Sequence, residues 1–382
     1  MIELDLPTCL LGGLSPQRFM RRHWHKTPLL VRQAVPEVTP PIDRAGLFAL
    51  AARDEVESRL VRREGRHWHL RRGPLPRRSL PPLSQPGWTL LVQGLDLHVD
   101  AAHRLLSRFR FVPDARLDDL MVSYASDGGG VGPHIDSYDV FLLQVAGRRR
   151  WRIGRCPQPA LRDDVPLKML TRFDVEQDCV LEPGDMLYLP PGWAHDGAAV
   201  GGECMTASIG FRAPTDVELA QALLARLADE PAATRSRRYR DRGRSATAHP
   251  GQVPSSLESF ARESVRSVLT HPDAIARSLG EWLTEPKPQV WFEACRRPGG
   301  DGRLGLVADR RTRMAYDSRH LFVNGESYRS GGRDARLMRR LADQRFLSAP
   351  DAMRLSGPAR DLVTEWMEAG WLHPTEGDVH DG

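Results

Sequence analysis

Three residues in this sequence have the types and the spacing to hold a divalent metal. His134 and Asp136 are separated only by Ile135, in the run Gly-Pro-His-Ile-Asp (132–136). On an extended strand, side chains two apart share a face. The imidazole and the carboxylate would then take two adjacent positions on one ion. The third candidate is His195, which closes Leu-Tyr-Leu-Pro-Pro-Gly-Trp-Ala-His (187–195). Two histidines and one carboxylate form the facial triad of non-haem Fe(II) oxygenases, which leaves positions open for oxygen and a co-substrate. Chance His-x-Asp pairs are common, so the weight of this one comes from its surroundings.

The elements around the triad are legible. Gly128, Gly129, Gly130 and Gly132 precede the pair and permit close backbone approach. Residues 121–126 read as a strand, and 139–146 as a nearly continuous apolar strand buried on both faces. After Gly147 the chain returns as Arg-Arg-Arg-Trp-Arg-Ile-Gly (148–154). Alternation puts Arg149, Trp151 and Ile153 inside, with Arg148 and Arg150 opposite. A buried guanidinium is costly without an anion. That anion would be an internal Asp or Glu, or a bound carboxylate gripped by two parallel hydrogen bonds. Residues 182–192 read as turn, strand and turn, delivering His195 at a strand edge. Residues 155–180 look like an insert long enough to border the site mouth. Residues 203–214 form the closing strand, with Thr206 and Ser208 on one face.

The runs GGGVGPHIDSYDVFLLQ, GRRRWRIG, LEPGDMLYLPPGWAH and SIGFRAP together resemble the JmjC-type cupins, which are Fe(II)- and 2-oxoglutarate-dependent protein hydroxylases. Within these they look like the bacterial ribosomal oxygenases, which hydroxylate an arginine of a large-subunit ribosomal protein. The resemblance covers the whole chain and is strongest over 121–214. It implies an α+β chain: a double-stranded β-helix (jelly-roll, cupin) barrel over 1–214, a helical dimerisation region over 215–285, and a winged-helix-like domain over 286–382. It also implies that His134, Asp136 and His195 hold Fe(II), with 2-oxoglutarate and O2 as co-substrates. Ser123, Thr206 and Ser208 would line the 2-oxoglutarate pocket, and Arg149 would clamp the far carboxylate. A basic substrate side chain wants an acid and an aromatic wall, for which Asp127 and Tyr138 are the candidates. The implied partners are a ribosomal protein and a second copy of the chain. Three other readings stay open: a Zn(II) or Mn(II) cupin hydrolase or isomerase, the same oxygenase chemistry on a histidine or a small molecule, and a winged-helix nucleic-acid binder on a degenerate cupin.

Bulk properties bound these readings. The chain has 382 residues, 41% of them hydrophobic, and a net charge of +5. That charge favours anionic partners such as ribosomal RNA. No apolar run approaches the ~20 residues of a membrane span. The N-terminus lacks the pattern of an export signal, so the cytoplasm is the expected location. Five scattered cysteines with no C-x-x-C argue against disulfides and thiolate zinc sites.

Towards the N-terminus, Ser15 and Pro16 start a helix. His23-Trp24-His25 reads as a packing cluster, residues 43–60 have helical apolar spacing, and His67 and His69 share a strand face. Beyond Pro214, Thr215-x-x-Glu218 is a capping box. Helices are expected before and after a polar arginine stretch at 235–254. Asn324-Gly325 marks a tight hairpin turn. Arg336, Arg339 and Arg340 form a stripe on one helix, read either as an anion contact or as a solvated face.

Overall fold

The computed structural model describes residues 3–229, 238–240, 251–270, 273–294 and 304–375. Most of the arginine stretch at 235–254, and Cys295, lie outside them. The chain divides into two compact units, Met1–Ala213 with Lys287–Phe292, and Pro214–Pro286 with Glu293–Gly382.

The first unit carries twelve strands among its described residues: β1 (Leu29–Val31), β2 (Ser58–Glu64), β3 (His67–Arg72), β4 (Trp88–Val92), β5 (Leu117–Ala125), β6 (His134–Ile135), β7 (Val140–Ala146), β8 (Arg149–Arg155), β9 (Gln177–Leu181), β10 (Met186–Leu189), β11 (Trp193–Ala199) and β12 (Cys204–Phe211). They form an eight-stranded sheet, β1-β10-β7-β12-β5-β4-β2-β3, and a four-stranded sheet, β6-β11-β8-β9. Leu142, Leu187 and Leu189 of the larger sheet pack on Trp151, Ile153, Leu181 and Trp193 of the smaller one. Side-chain packing joins the sheets, and among the described residues no hydrogen-bonded ladder does. The fold is the expected double-stranded β-helix (jelly roll), its two sheets packed face to face without closing into a barrel.

The other face of the larger sheet is covered by N-terminal elements. Ser15 caps the helix Pro16–Arg22, accepting from the Arg18 amide at 3.3 Å. Trp24 stacks on Tyr188 with a 17° interplanar angle, and His25 lies 3.3 Å from Asp139, as expected of a packing cluster. The helix expected over 43–60 is shorter and spans Arg44–Leu50. The Ala51 carbonyl is taken by Leu75 N–H at 2.6 Å and by Ser58 Oγ at 3.1 Å. Val56 and Leu60, which continue the apolar spacing, serve a turn and β2 instead.

One piece of this unit comes from far along the chain. Lys287 brings its Nζ to 3.1 Å from Asp118 and 3.5 Å from Asp119. Asp119 and nearby Asp96 are buried, and Asp96 is pushed up to about 7, first by burial and then by Asp119.

In the second unit, Thr215 and Glu218 close the expected capping box. The Thr215 amide donates to Glu218 at 2.7 Å, and the Glu218 amide donates to Thr215 Oγ1 at 3.1 Å. Helices follow at Asp216–Asp229, Ser255–Leu269 and Ala274–Thr284. Further on, strands His320–Val323 and Glu326–Arg329 turn through Asn324 (φ 49°) and Gly325 (φ 89°), the left-handed pair a tight hairpin requires. Helices Gly332–Gln344 and Gly357–Glu368 pack Leu337, Leu341, Val363 and Trp366 into one core with that hairpin. Two arginines of the expected stripe are engaged within this unit. Arg340 pairs with Asp351, and Arg339 donates to the Asp317 and Ser318 carbonyls.

Candidate active site

β6 and β11 are adjacent and antiparallel, with His134 directly opposite His195. The two imidazoles therefore meet across one rung, their ring centres 4.1 Å apart. Asp136 follows β6 and brings Oδ1 to 3.9 Å from His134 Nε2 and Oδ2 to 3.5 Å from His195 Nε2. The three ligand atoms lie within 4.8 Å of one another. His195 was expected at a strand edge. It is instead the third residue of β11, inside the smaller sheet, and is 3% exposed.

The histidines are oriented by a repeated device that sequence reasoning missed. His134 Nδ1 bonds the Gly132 carbonyl at 2.9 Å, and His195 Nδ1 bonds the Trp193 carbonyl at 3.1 Å. In each case the partner is the backbone two residues earlier. With Nδ1 carrying the proton, Nε2 presents its lone pair to the common point. Burial, and then His134, pushes the His195 imidazole down to about 4, so it is neutral at pH 7 and ready to ligate. The donor set and its orientation fit a divalent metal.

Glycines make room for this arrangement. A Cβ on Gly129 would strike the Trp88 carbonyl, and one on Gly130 the Gly197 carbonyl, so the loop before His134 lies directly against backbone. The insert expected over 155–180 reaches this loop before ending in β9 at Gln177: the Leu170 amide donates to the Pro133 carbonyl at 2.7 Å. Gly197 lies under the Trp151 ring, and a Cβ there would be 2.5 Å from it. Trp151 in turn is 5.9 Å from the His195 ring. Gly197→Ala is thus expected to cost about 1–3 kcal/mol by overpacking. Its melting temperature should fall and its metal affinity weaken together, as read by thermal melts with and without metal.

Beside the triad, Arg149 sits between the sheets at 3% exposure. Its Nη1 donates to Ser123 Oγ at 3.1 Å and Thr206 Oγ1 at 3.4 Å, and its Nη2 to the Gly197 carbonyl at 3.2 Å. Thr206 Oγ1 donates onward to buried Gln144 at 2.9 Å, a member the sequence did not signal. The partners of the guanidinium are hydroxyls and a carbonyl, not the internal Asp or Glu held open above. Its Nε is buried without a partner, and burial pulls its pKa down. A buried cation with spare donors suits an incoming carboxylate. Ser208 lies two residues from Thr206 on the same face of β12 and is also buried.

The two candidates for substrate contact are placed differently. Tyr138, two residues after Asp136, is 38% exposed, and its phenol is raised first by burial and then by the Asp136 carboxylate. Asp127 is exposed and accepts from the Gly202 amide at 3.1 Å. Its loop runs along Ala198 and Ala199, at the end of β11 away from His195.

A jelly-roll sandwich holding two histidines and one carboxylate between its sheets defines a metal-dependent oxygenase of the JmjC type. A JmjC domain family matches residues 104–219, and a ROXA-like winged helix family matches residues 267–373. The ribosomal protein uL16 3-hydroxylase of Escherichia coli (strain K12) is 35% identical over 280 residues, covering 71% of this chain and 72% of that one. The chain belongs to the ribosomal oxygenase family. A probable ribosomal oxygenase of Haemophilus influenzae is 36% identical over 211 residues, covering 54% of this chain and 52% of the relative. The structure of the Escherichia coli ribosomal oxygenase YcfD in complex with cobalt and 2-oxoglutarate superposes with a TM-score of 0.78 at 31% identity, over 95% of this chain and 99% of that one. Among the described residues no helix is long and apolar enough to cross a membrane.

Proposed function

We infer that this chain is an Fe(II)- and 2-oxoglutarate-dependent hydroxylase acting on an arginine side chain of the ribosomal protein uL16. The observation that carries the reading is Arg149, a buried guanidinium with an unpartnered Nε beside three converging metal ligands. The relatives supply the substrate: one is a uL16 hydroxylase, and another binds cobalt and 2-oxoglutarate.

His134, Asp136 and His195 would hold the iron by Nε2, carboxylate and Nε2. Iron with 2-oxoglutarate and oxygen supplies an oxidant that replaces a C–H hydrogen by hydroxyl and releases succinate and carbon dioxide. Arg149 clamps the far carboxylate of 2-oxoglutarate, with Ser123 and Thr206 holding its Nη1 and Ser208 lining the same face. Trp151 and the leucines between the sheets exclude water. Tyr138 forms an aromatic wall at the mouth, against which a guanidinium stacks favourably. Asp127, bonded to Gly202, steadies the glycine loop.

The proposed partition of labour is catalysis in 1–214, dimerisation through 215–285, and a winged-helix domain in 286–382. Val217, Leu224, Leu257, Val265, Val268 and Leu269 are exposed on two helices of the middle region, an apolar surface that a second copy would cover. A ribosomal protein substrate is consistent with the expected cytoplasmic location, and the net charge of +5 suits RNA next to that substrate.

The test is direct. Purified protein with Fe(II), 2-oxoglutarate and ribosomal proteins should add the mass of one oxygen atom to one arginine peptide of uL16, with matching succinate release. Modification of a histidine peptide instead would move the substrate assignment. Failure to form succinate would end the oxygenase reading for this chain.

A further inference from the structure

One hairpin of the first unit carries a dense cluster of positive charge. Residues 58–79, β2 and β3 with the loop after them, hold eight arginines and one acid, Glu64. That is more net positive charge than the +5 of the whole chain. Glu64 is taken by Arg62, and Arg77 stacks on Phe48. Arg63, Arg66, Arg71, Arg72 and Arg78 are exposed.

The sheet register shows where this charge points. Across the larger sheet, Ser123 of β5 is opposite Leu91 of β4, Leu91 is opposite Arg59 of β2, and Arg59 is opposite Arg72 of β3. Residues directly opposite in antiparallel strands project from the same face. Ser123 bonds Arg149 between the sheets, so Arg59 and Arg72 stand on the continuation of the catalytic face. By strand alternation Arg63 and its partner Trp68 stand there too. Three strand spacings of about 4.8 Å separate Ser123 from Arg72, roughly 14 Å in all. β3 is the outer strand of the sheet, so this face ends in a row of arginines with a half-exposed indole among them, Arg63 lying 6.0 Å over the Trp68 ring.

The geometry points to this ledge as a binding surface for an RNA strand, with phosphates on Arg63, Arg66 and Arg72 and a base stacked on Trp68. Basic rows with an interleaved aromatic ring bind single-stranded nucleic acid by these two terms. The ledge also has a bearing on the reaction. It rests there on the hydroxylase reading above: a positive ledge beside the entrance repels an arginine substrate unless a polyanion neutralises it. Its substrate protein would then be met while associated with RNA.

The test uses the full-length, metal-free protein and a fluorescein-labelled single-stranded RNA, followed by anisotropy at several salt concentrations. Sequence-independent binding of about 1–100 µM is expected near physiological salt. The variant Arg63→Ser/Arg66→Ser/Arg72→Ser should weaken it at least tenfold and lower the salt slope by about 2, at roughly 0.7 per lost phosphate contact. Trp68→Ala should weaken it about fivefold without changing that slope. Arg18→Ser/Arg21→Ser/Arg22→Ser, which removes charge from an exposed helix elsewhere, should change little. Hydroxylation of an isolated substrate peptide should stay within about twofold in the Trp68 and helix variants and be kept or raised in the ledge-arginine variant, where the repulsion is gone, which separates this proposal from the hydroxylase reading. An RNA affinity unmoved by the three-arginine ledge variant would overturn the ledge. So would binding of polyglutamate as tight as that of RNA, in favour of an acidic protein partner.

Discussion

His195→Gln binds its metal at least about a hundredfold more weakly than the parent chain. Apparent binding energies of roughly 10–16 kcal/mol for a four-ligand site put about 3 kcal/mol on each ligand. Tenfold in affinity is about 1.4 kcal/mol, so losing one of three ligands costs two decades or more. Glutamine keeps much of the volume at a position that is 3% exposed, which limits the structural damage alanine would add. Its amide has no lone pair directed by the Trp193 carbonyl as the imidazole has. Titration with Fe(II) under anaerobic conditions, or with Co(II) in air, can be followed by tryptophan fluorescence, since Trp151 lies 5.9 Å from the ring. An unchanged dissociation constant would remove His195 from the metal site.

The second large effect separates binding from stability. Arg149→Met is expected to raise the 2-oxoglutarate KM about a hundredfold or more, because truncating one partner of a buried charge pair costs about 2–5 kcal/mol. The same substitution should leave the melting temperature of the free protein unchanged or raise it. In that state the guanidinium is buried with hydroxyl and carbonyl partners only, and an uncompensated buried charge is itself destabilising. A structural arginine would behave in the opposite way, with a clear drop in melting temperature and a modest change in KM. Differential scanning fluorimetry beside succinate assays at several 2-oxoglutarate concentrations reads both.

Much of this site was legible in the sequence, because strand periodicity is local. His-x-Asp, the inward parity of Arg149, Trp151 and Ile153, and the shared face of Thr206 and Ser208 all follow from a repeat of two. The Thr215 capping box and the Asn324-Gly325 turn are equally local. What was not legible depends on contacts between distant segments. Sequence cannot show which carbonyl receives Nδ1, although the shared spacing in Gly132-x-His134 and Trp193-x-His195 was a usable signal. It could not show that the Ala51 carbonyl is claimed by Leu75 and ends a helix that apolar spacing would continue to 60. Nor could it show that two sheets meet by packing without closing into a barrel. The arginines of β2 and β3 were visible as composition, but the face they share with Ser123 appears only once four strands are in register.

Lys287 carries a consequence for dissecting this chain. The backbone passes between the two units three times, at 213/214, 286/287 and 292/293, rather than once. A fragment ending at 214 would look self-sufficient in the linear map. It would nevertheless leave Asp118 and Asp119 without their ammonium partner, in a region where Asp96 is already forced towards neutrality. The jelly roll is thus completed in trans-sequence fashion by six residues that arrive about seventy-five positions after its last strand. Any minimal catalytic piece, and any chimera that exchanges the C-terminal part, must carry that small graft with it.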